Sequence, residues 1–136
     1  MLQENDIAPD FELPADDGSS VKLSELRGQR VILFFYPKAD TPGCTVEACE
    51  FRDLQPDIQE RGAIVFGISP DPVEELVSFR DKYQLPYRLL ADADHTVAEE
   101  YGVWKEKNMF GRKYMGVERS TFLIDEEGRV ARAFRN

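Results

Sequence analysis

Two nearly continuous apolar runs constrain this chain more than any other feature. VILFFY at 31–36 and AIVFGIS at 63–69 are rich in β-branched and aromatic residues and show no polar alternation. Runs of that length and make-up read as strands covered on both faces. Between them lies a helical pattern reaching about Arg61, with Val46, Leu54 and Ile58 expected on its apolar face and Gly62 as its stop. Strand, helix, strand in that order commits the chain to a layered α/β arrangement.

The flanking segments extend it. Residues 11–13 and 21–23 alternate apolar and polar around Asp16-Asp17-Gly18, predicting an N-terminal β-hairpin, and 24–28 reads as one helical turn closed by glycine. Asp71-Pro72-Val73-Glu74 predicts a helix start, with Asp71 as cap, Pro72 at the first helical position and Glu74 completing a capping box. Residues 87–90 suggest a short strand and 94–101 a short helix ended by Gly102. Residues 103–118 read as a loop, and 119–124 with 129–134 as a terminal hairpin around Asp125-Glu-Glu-Gly128. The expected whole is one domain, 1–136, with a mixed central sheet flanked by helices.

A net charge of −9 argues against nucleic acid or an anionic membrane as the main partner, since both demand a basic face. No apolar run is long enough to span a membrane, and the N-terminus lacks a basic segment followed by an apolar one, so a cytosolic protein is expected. Two cysteines and one histidine cannot close a zinc site, and a lone cysteine pair in a cytosolic chain reads as catalytic before structural.

The chemistry concentrates in PKADTPGCTVEAC at 37–49. Pro37 ends a strand, and Cys44 falls near the first turn of the next helix, where free backbone N–H groups and the helix dipole favour a thiolate. Thr41 offers a hydroxyl three residues before the sulfur, and Pro42-Gly43 lets backbone amides approach a bound group. Cys44 and Cys49 are five apart, about 7.5 Å of rise and about 140° of rotation on a helix. A disulfide needs Cα atoms roughly 4.4–6.8 Å apart. Either no bond forms, or forming it unwinds the first turn or two. As a plain helix pair the two would be small buried hydrophobes.

The spacing Pro37-x-x-x-Thr41-x-x-Cys44 resembles the active-site signature of the peroxiredoxins, thiol peroxidases built on a thioredoxin-like fold. GCTVEAC at 43–49 resembles the subfamily that includes bacterioferritin comigratory protein, as do Trp104, Tyr114-Met-Gly116 and RSTFLID at 119–125. The likeness runs from about residue 6 to 132. Members usually continue past the last strand into a further helix, and this sequence stops at Asn136. The expectation that follows is one exposed face of the sheet.

The resemblance implies a role for each residue. Cys44 would be the peroxidatic nucleophile, Thr41 would hydrogen-bond the peroxide, and Pro37 would shield the sulfur. Arg119 matches the family's active-site arginine. A helix start contributes about 0.3–1 kcal/mol, short of the roughly 2.7 kcal/mol needed to make an ordinary thiol mostly anionic, so a cation is wanted. Glu47 either orients an arginine or is a solvent-facing first-turn glutamate. Cys49 matches the resolving cysteine, forming an intramolecular disulfide with Cys44 that a thioredoxin-type dithiol would reduce. Hydroperoxides are the implied substrates, without metal, haem or flavin, in a monomer or weak dimer. Two other readings carry weight, a thiol–disulfide oxidoreductase and a redox sensor or holdase. His95 reads as a polar surface residue, Trp104 as packing, and Lys105, Lys107, Arg112 and Lys113 as a solvated loop that could meet an acidic partner.

Overall fold

A computed structural model describes residues 2–135. The two apolar runs form β3 (Arg30–Phe35) and β4 (Ala63–Ser69), paired in parallel with Leu33 opposite Phe66. Helix α1 (Pro42–Glu60) connects them. β5 (Arg88–Ala91) extends the sheet in parallel beyond β4, after α2 (Val73–Tyr83). On the other side β8 (Ser120–Ile124) runs antiparallel to β3, and β9 (Val130–Arg135) closes the edge. The order β5-β4-β3-β8-β9 is a five-stranded mixed sheet, a thioredoxin-like α/β core.

The expected N-terminal hairpin is present as β1 (Glu12–Pro14) and β2 (Ser20–Lys22), followed by a 3-10 turn at Leu23–Leu26. The short helix α3 (Thr96–Glu100) is only the middle of the expected segment. His95 caps it in a left-handed conformation and stacks flat on Trp104 at 4.0 Å between ring centres, so its ring packs although it stays half-exposed.

Apolar burial divides between the sheet's two faces. Leu33, Phe35, Phe66, Tyr101, Phe122 and Val130 pack on one face, and Phe34, Tyr36, Ala48, Leu76, Phe79 and Tyr87 on the other, with Cys44. Gly67 lets the second layer close over β4, because a Cβ there would sit 2.7 Å from Phe34 Cζ. Beside the C-terminal end of α1 an open apolar groove runs over Ile32, Ile58, Leu123 and Ala131.

Three local expectations are corrected. On α1, Val46 and Leu54 are exposed, and the stripe that meets the sheet is Cys44, Ala48, Phe51 and Ile58. These follow one another at helical spacings of four, three and seven. Asp71 does not cap α2: Pro72 holds that position without a side-chain bond, and the Asp71 carboxylate turns to the loop after β3. Residues 103–118 are not a loop. They form a second two-stranded sheet, β6 (Trp104–Met109) with β7 (Arg112–Val117), whose polar sequence hides its strand period.

Candidate active site

Strand β3 delivers the chain to Pro37, and α1 begins at Pro42, so residues 37–41 form a short bridge at one end of the sheet. That bridge is pinned at three points. The Asp71 carboxylate accepts the Ala39 N–H at 2.7 Å and the Ser69 hydroxyl at 2.8 Å, all buried. Asp40, in the left-handed region at φ 59°, pairs with Lys82 at 3.0 Å and accepts the Tyr83 hydroxyl at 2.8 Å. Those two partners hold its carboxyl below the usual range. Thr41 donates its hydroxyl to the Lys38 carbonyl at 2.8 Å and stands at the N-cap of α1 with extended backbone. Its hydroxyl oxygen thus faces the turn and keeps lone pairs to accept a further donor.

Cys44 sits in the first turn of α1 and is only 1% exposed. Burial does not isolate it. Arg119, at the entry to β8, places Nη2 3.4 Å from Cys44 Sγ and Nη1 3.1 Å from Glu47 Oε1. One guanidinium therefore bridges a thiol and a carboxylate on successive turns of α1. The contact with Cys44 raises the already high basicity of Arg119 against the opposing effect of burial, so the cation persists. Burial pushes the Glu47 carboxyl above its ordinary value, and Arg119 offsets this only in part. Glu47 is not a solvent-facing first-turn residue, since its side chain is four-fifths covered.

Gly43 has a use that its residue type could signal but its neighbours in sequence could not. A Cβ there would lie 3.0 Å from Arg119 Nη2, so the missing side chain is the space the guanidinium occupies.

Cys49 is half-buried and, like Cys44, a free thiol. Helix α1 is unbroken through both, so the two sulfurs cannot bond in this conformation. Next to Cys49, the Ala48 carbonyl accepts a 2.6 Å hydrogen bond from the Tyr87 hydroxyl. Burial drives the Tyr87 phenol strongly upward, which keeps it a neutral donor. One turn further on, Arg52 reaches the Tyr83 carbonyl at 2.9 Å. Tyr87, Asp71 and Gly43 were not among the residues singled out from sequence for these contacts, because each acts on a partner distant in the chain or through a missing atom.

Among the described residues no group of His, Cys, Asp and Glu could hold a metal ion, and no helix is long and apolar enough to cross a membrane.

Comparison with known proteins gives one consistent result. The AhpC/TSA family matches residues 5–133. A putative peroxiredoxin of Coxiella burnetii is 56% identical over 91% of this chain and 82% of its own. Peroxiredoxin Bcp of Bacillus subtilis is 52% identical over 94% of this chain and 82% of its own. Among solved structures, the bacterioferritin comigratory protein of Xanthomonas campestris, studied for alkyl peroxide reduction, superposes with a TM-score of 0.90 at 36% identity, covering 99% of this chain and 86% of that one.

Proposed function

This chain belongs to the AhpC/TSA family and is a thiol peroxidase; we propose that its reaction starts at Cys44 and is completed by Cys49. The Cys44 thiolate attacks one oxygen of a hydroperoxide, the O–O bond breaks, and the leaving oxygen departs with a proton as water or an alcohol. Cys44 is left as a sulfenic acid. The Cys49 thiolate then attacks that sulfur, forming the disulfide and releasing the hydroxyl as water. An external dithiol, of the thioredoxin type, returns both cysteines to thiols. Hydrogen peroxide and organic hydroperoxides are the substrates.

The observation that carries this reading is the 3.4 Å approach of Arg119 to Cys44 Sγ in the first turn of α1. The cation stabilises the thiolate before reaction and the oxygen charge that develops as the O–O bond breaks. Thr41 orients the peroxide, Pro37 limits access of water to the sulfur, and Glu47 holds Arg119. A dithiol oxidoreductase is less well supported, because such enzymes pair sulfurs that can bond without unwinding a helix. The chemistry suits one domain in the cytosol, where dithiol reductants keep cysteines reduced.

The test uses single-cysteine variants. Cys44→Ser is expected to lose all peroxide consumption. Cys49→Ser is expected to keep the first oxidation, read as one sulfenic acid per chain, and to lose thioredoxin-supported turnover. Steady-state turnover undiminished in Cys49→Ser would remove the resolving role.

A further inference from the structure

The β6–β7 hairpin is built for something other than the core. Its register sorts the side chains by face. Trp104 opposite Val117, Glu106 opposite Met115 and Asn108 opposite Lys113 share one face, and Lys105 opposite Gly116, Lys107 opposite Tyr114 and Met109 opposite Arg112 share the other. The first face turns Val117 into the core at its base and neutralises itself further out, where Lys113 pairs with Glu106 at 3.7 Å. The second face holds Lys105, Lys107 and Arg112 with Tyr114 and Met109, and among the described residues no carboxylate lies within ion-pair distance of those three cations.

Charge sets the hairpin apart from the rest of the molecule. Four cations against the carboxylate of Glu106 give it net +3 in a chain of net −9, leaving −12 on the remainder. The tip is as unusual. Phe110 and Gly111 both have positive φ, at 53° and 78°, the geometry of a two-residue hairpin turn that ordinarily takes Asn or Gly first. A phenylalanine there meets backbone strain, and its ring is fully exposed. Met109, Tyr114 and Met115 are exposed beside it. The core holds the hairpin only at its base, through Val117 and Trp104, and its outer half presents apolar surface to solvent.

Its base enters the active site. β7 ends at Val117, and two residues later Arg119 touches Cys44. Tyr114 is five residues from Arg119, about 17 Å of extended chain.

We infer that the cationic face of the β6–β7 hairpin, with Phe110 at its tip, is the docking surface for an acidic protein dithiol that reduces the oxidised cysteines. The inference rests on the peroxidase reading above. The opposite charge steers the reductant to a molecule whose remaining surface repels it, and the apolar tip and Tyr114 supply the contact that holds it. The reductant's thiolate attacks one sulfur of the Cys44–Cys49 disulfide, its second thiol displaces the mixed disulfide, and the reductant leaves oxidised.

The experiment compares two reductants on one peroxide, a thioredoxin of acidic net charge with its reductase and NADPH, and dithiothreitol. The combined variant Lys105→Glu, Lys107→Glu, Arg112→Glu is expected to lose tenfold or more in kcat/KM for thioredoxin while its dithiothreitol-driven rate stays unchanged. Phe110→Ser is expected to show a smaller loss of the same kind. The unmodified protein's thioredoxin rate should fall with added salt, and that of the triple variant should not. An unchanged thioredoxin kcat/KM in the triple variant overturns the proposal, as does an equal loss from Lys113→Gln on the opposite face. Loss of a sedimenting dimer in the triple variant with its thioredoxin rate retained would assign the face to a second copy, and equally overturns it. Absence of dithiothreitol-driven peroxide loss in the unmodified protein would instead remove the peroxidase reading beneath it.

Discussion

The Tyr87 hydroxyl holds the Ala48 carbonyl at 2.6 Å, so the helix is clamped to β5's approach one residue before Cys49. Cys49 cannot meet Cys44 until the turns around this bond come apart. Tyr87→Phe removes the clamp without removing the ring that packs on Phe34 at 5.7 Å. Loss of one buried hydrogen bond costs about 1 kcal/mol, which a urea titration reads directly. After one equivalent of peroxide, disulfide formation should be faster than in the parent by several-fold, followed by thiol loss in a quenched-flow experiment. A slower or unchanged rate would mean the bond does not gate the unwinding.

Gly43 separates activity from stability. Replacing glycine by alanine within a helix normally stabilises by about 0.5–1 kcal/mol. In Gly43→Ala the new Cβ arrives 3.0 Å from Arg119 Nη2, the far end of a side chain that can swing away. The protein should melt at the same temperature or higher. Its second-order rate with hydrogen peroxide should drop tenfold or more, since a charge-assisted hydrogen bond contributes about 1.5–3 kcal/mol. Full activity in a stable Gly43→Ala protein would show that the guanidinium need not stay where it is.

How much of this site a sequence can display depends on the distance over which each contact acts. The start of α1 is local: Thr41, Pro42 and the strand ending at Pro37 announce it together. The terminal hairpin is local as well, because Asp125 caps its own turn by accepting the N–H groups of Glu127 and Arg129. The pairing of Arg119 with Glu47 spans seventy-two residues, so nothing local to Glu47 could name its arginine. Asp71 misled for the same reason, since its local setting is that of a helix cap while its partner is the N–H of Ala39. On α1 the apolar residues at 46 and 54 outweighed Ala48, whose small side chain is what lets the helix seat on the sheet. The β6–β7 hairpin lacked any apolar alternation to read, because its faces are sorted by charge.

Glu47 gives a pH prediction of definite sign. Burial raises its carboxyl above the ordinary value of 4.5, so the folded protein binds this proton more tightly than the unfolded chain does. Between those two values the native state holds more protons, and stability falls as pH rises. Glu47→Gln removes that contribution. The stability difference between the variant and the parent should therefore grow in the variant's favour from pH 4.5 upward and level off once the folded-state carboxyl is fully ionised. Peroxidase activity should move the other way, because Arg119 loses its second anchor. Denaturant titrations at several pH values check the first, and peroxide kinetics at pH 7 the second. A variant that is less stable at neutral pH than at pH 4.5, relative to the parent, contradicts the assignment.

Asp71 joins the bridge after β3 to the end of β4. Its Oδ2 serves two buried donors, the Ala39 N–H and the Ser69 hydroxyl, and only the hydroxyl can rotate to another acceptor. Asp71→Ala strands the amide, and a buried unsatisfied donor costs about 1–3 kcal/mol. The damage should not stay local. Ala39 lies between Pro37 and Thr41, so freeing it loosens both residues that flank the approach to Cys44. The expected result is a stability loss of about 2 kcal/mol together with a peroxide rate several-fold lower at temperatures where the variant is fully folded. Asp71→Asn, which retains a carbonyl oxygen in the same place, should recover most of both. Recovery of stability without recovery of rate would show that the carboxylate's charge, and not its hold on Ala39, is what the active site needs.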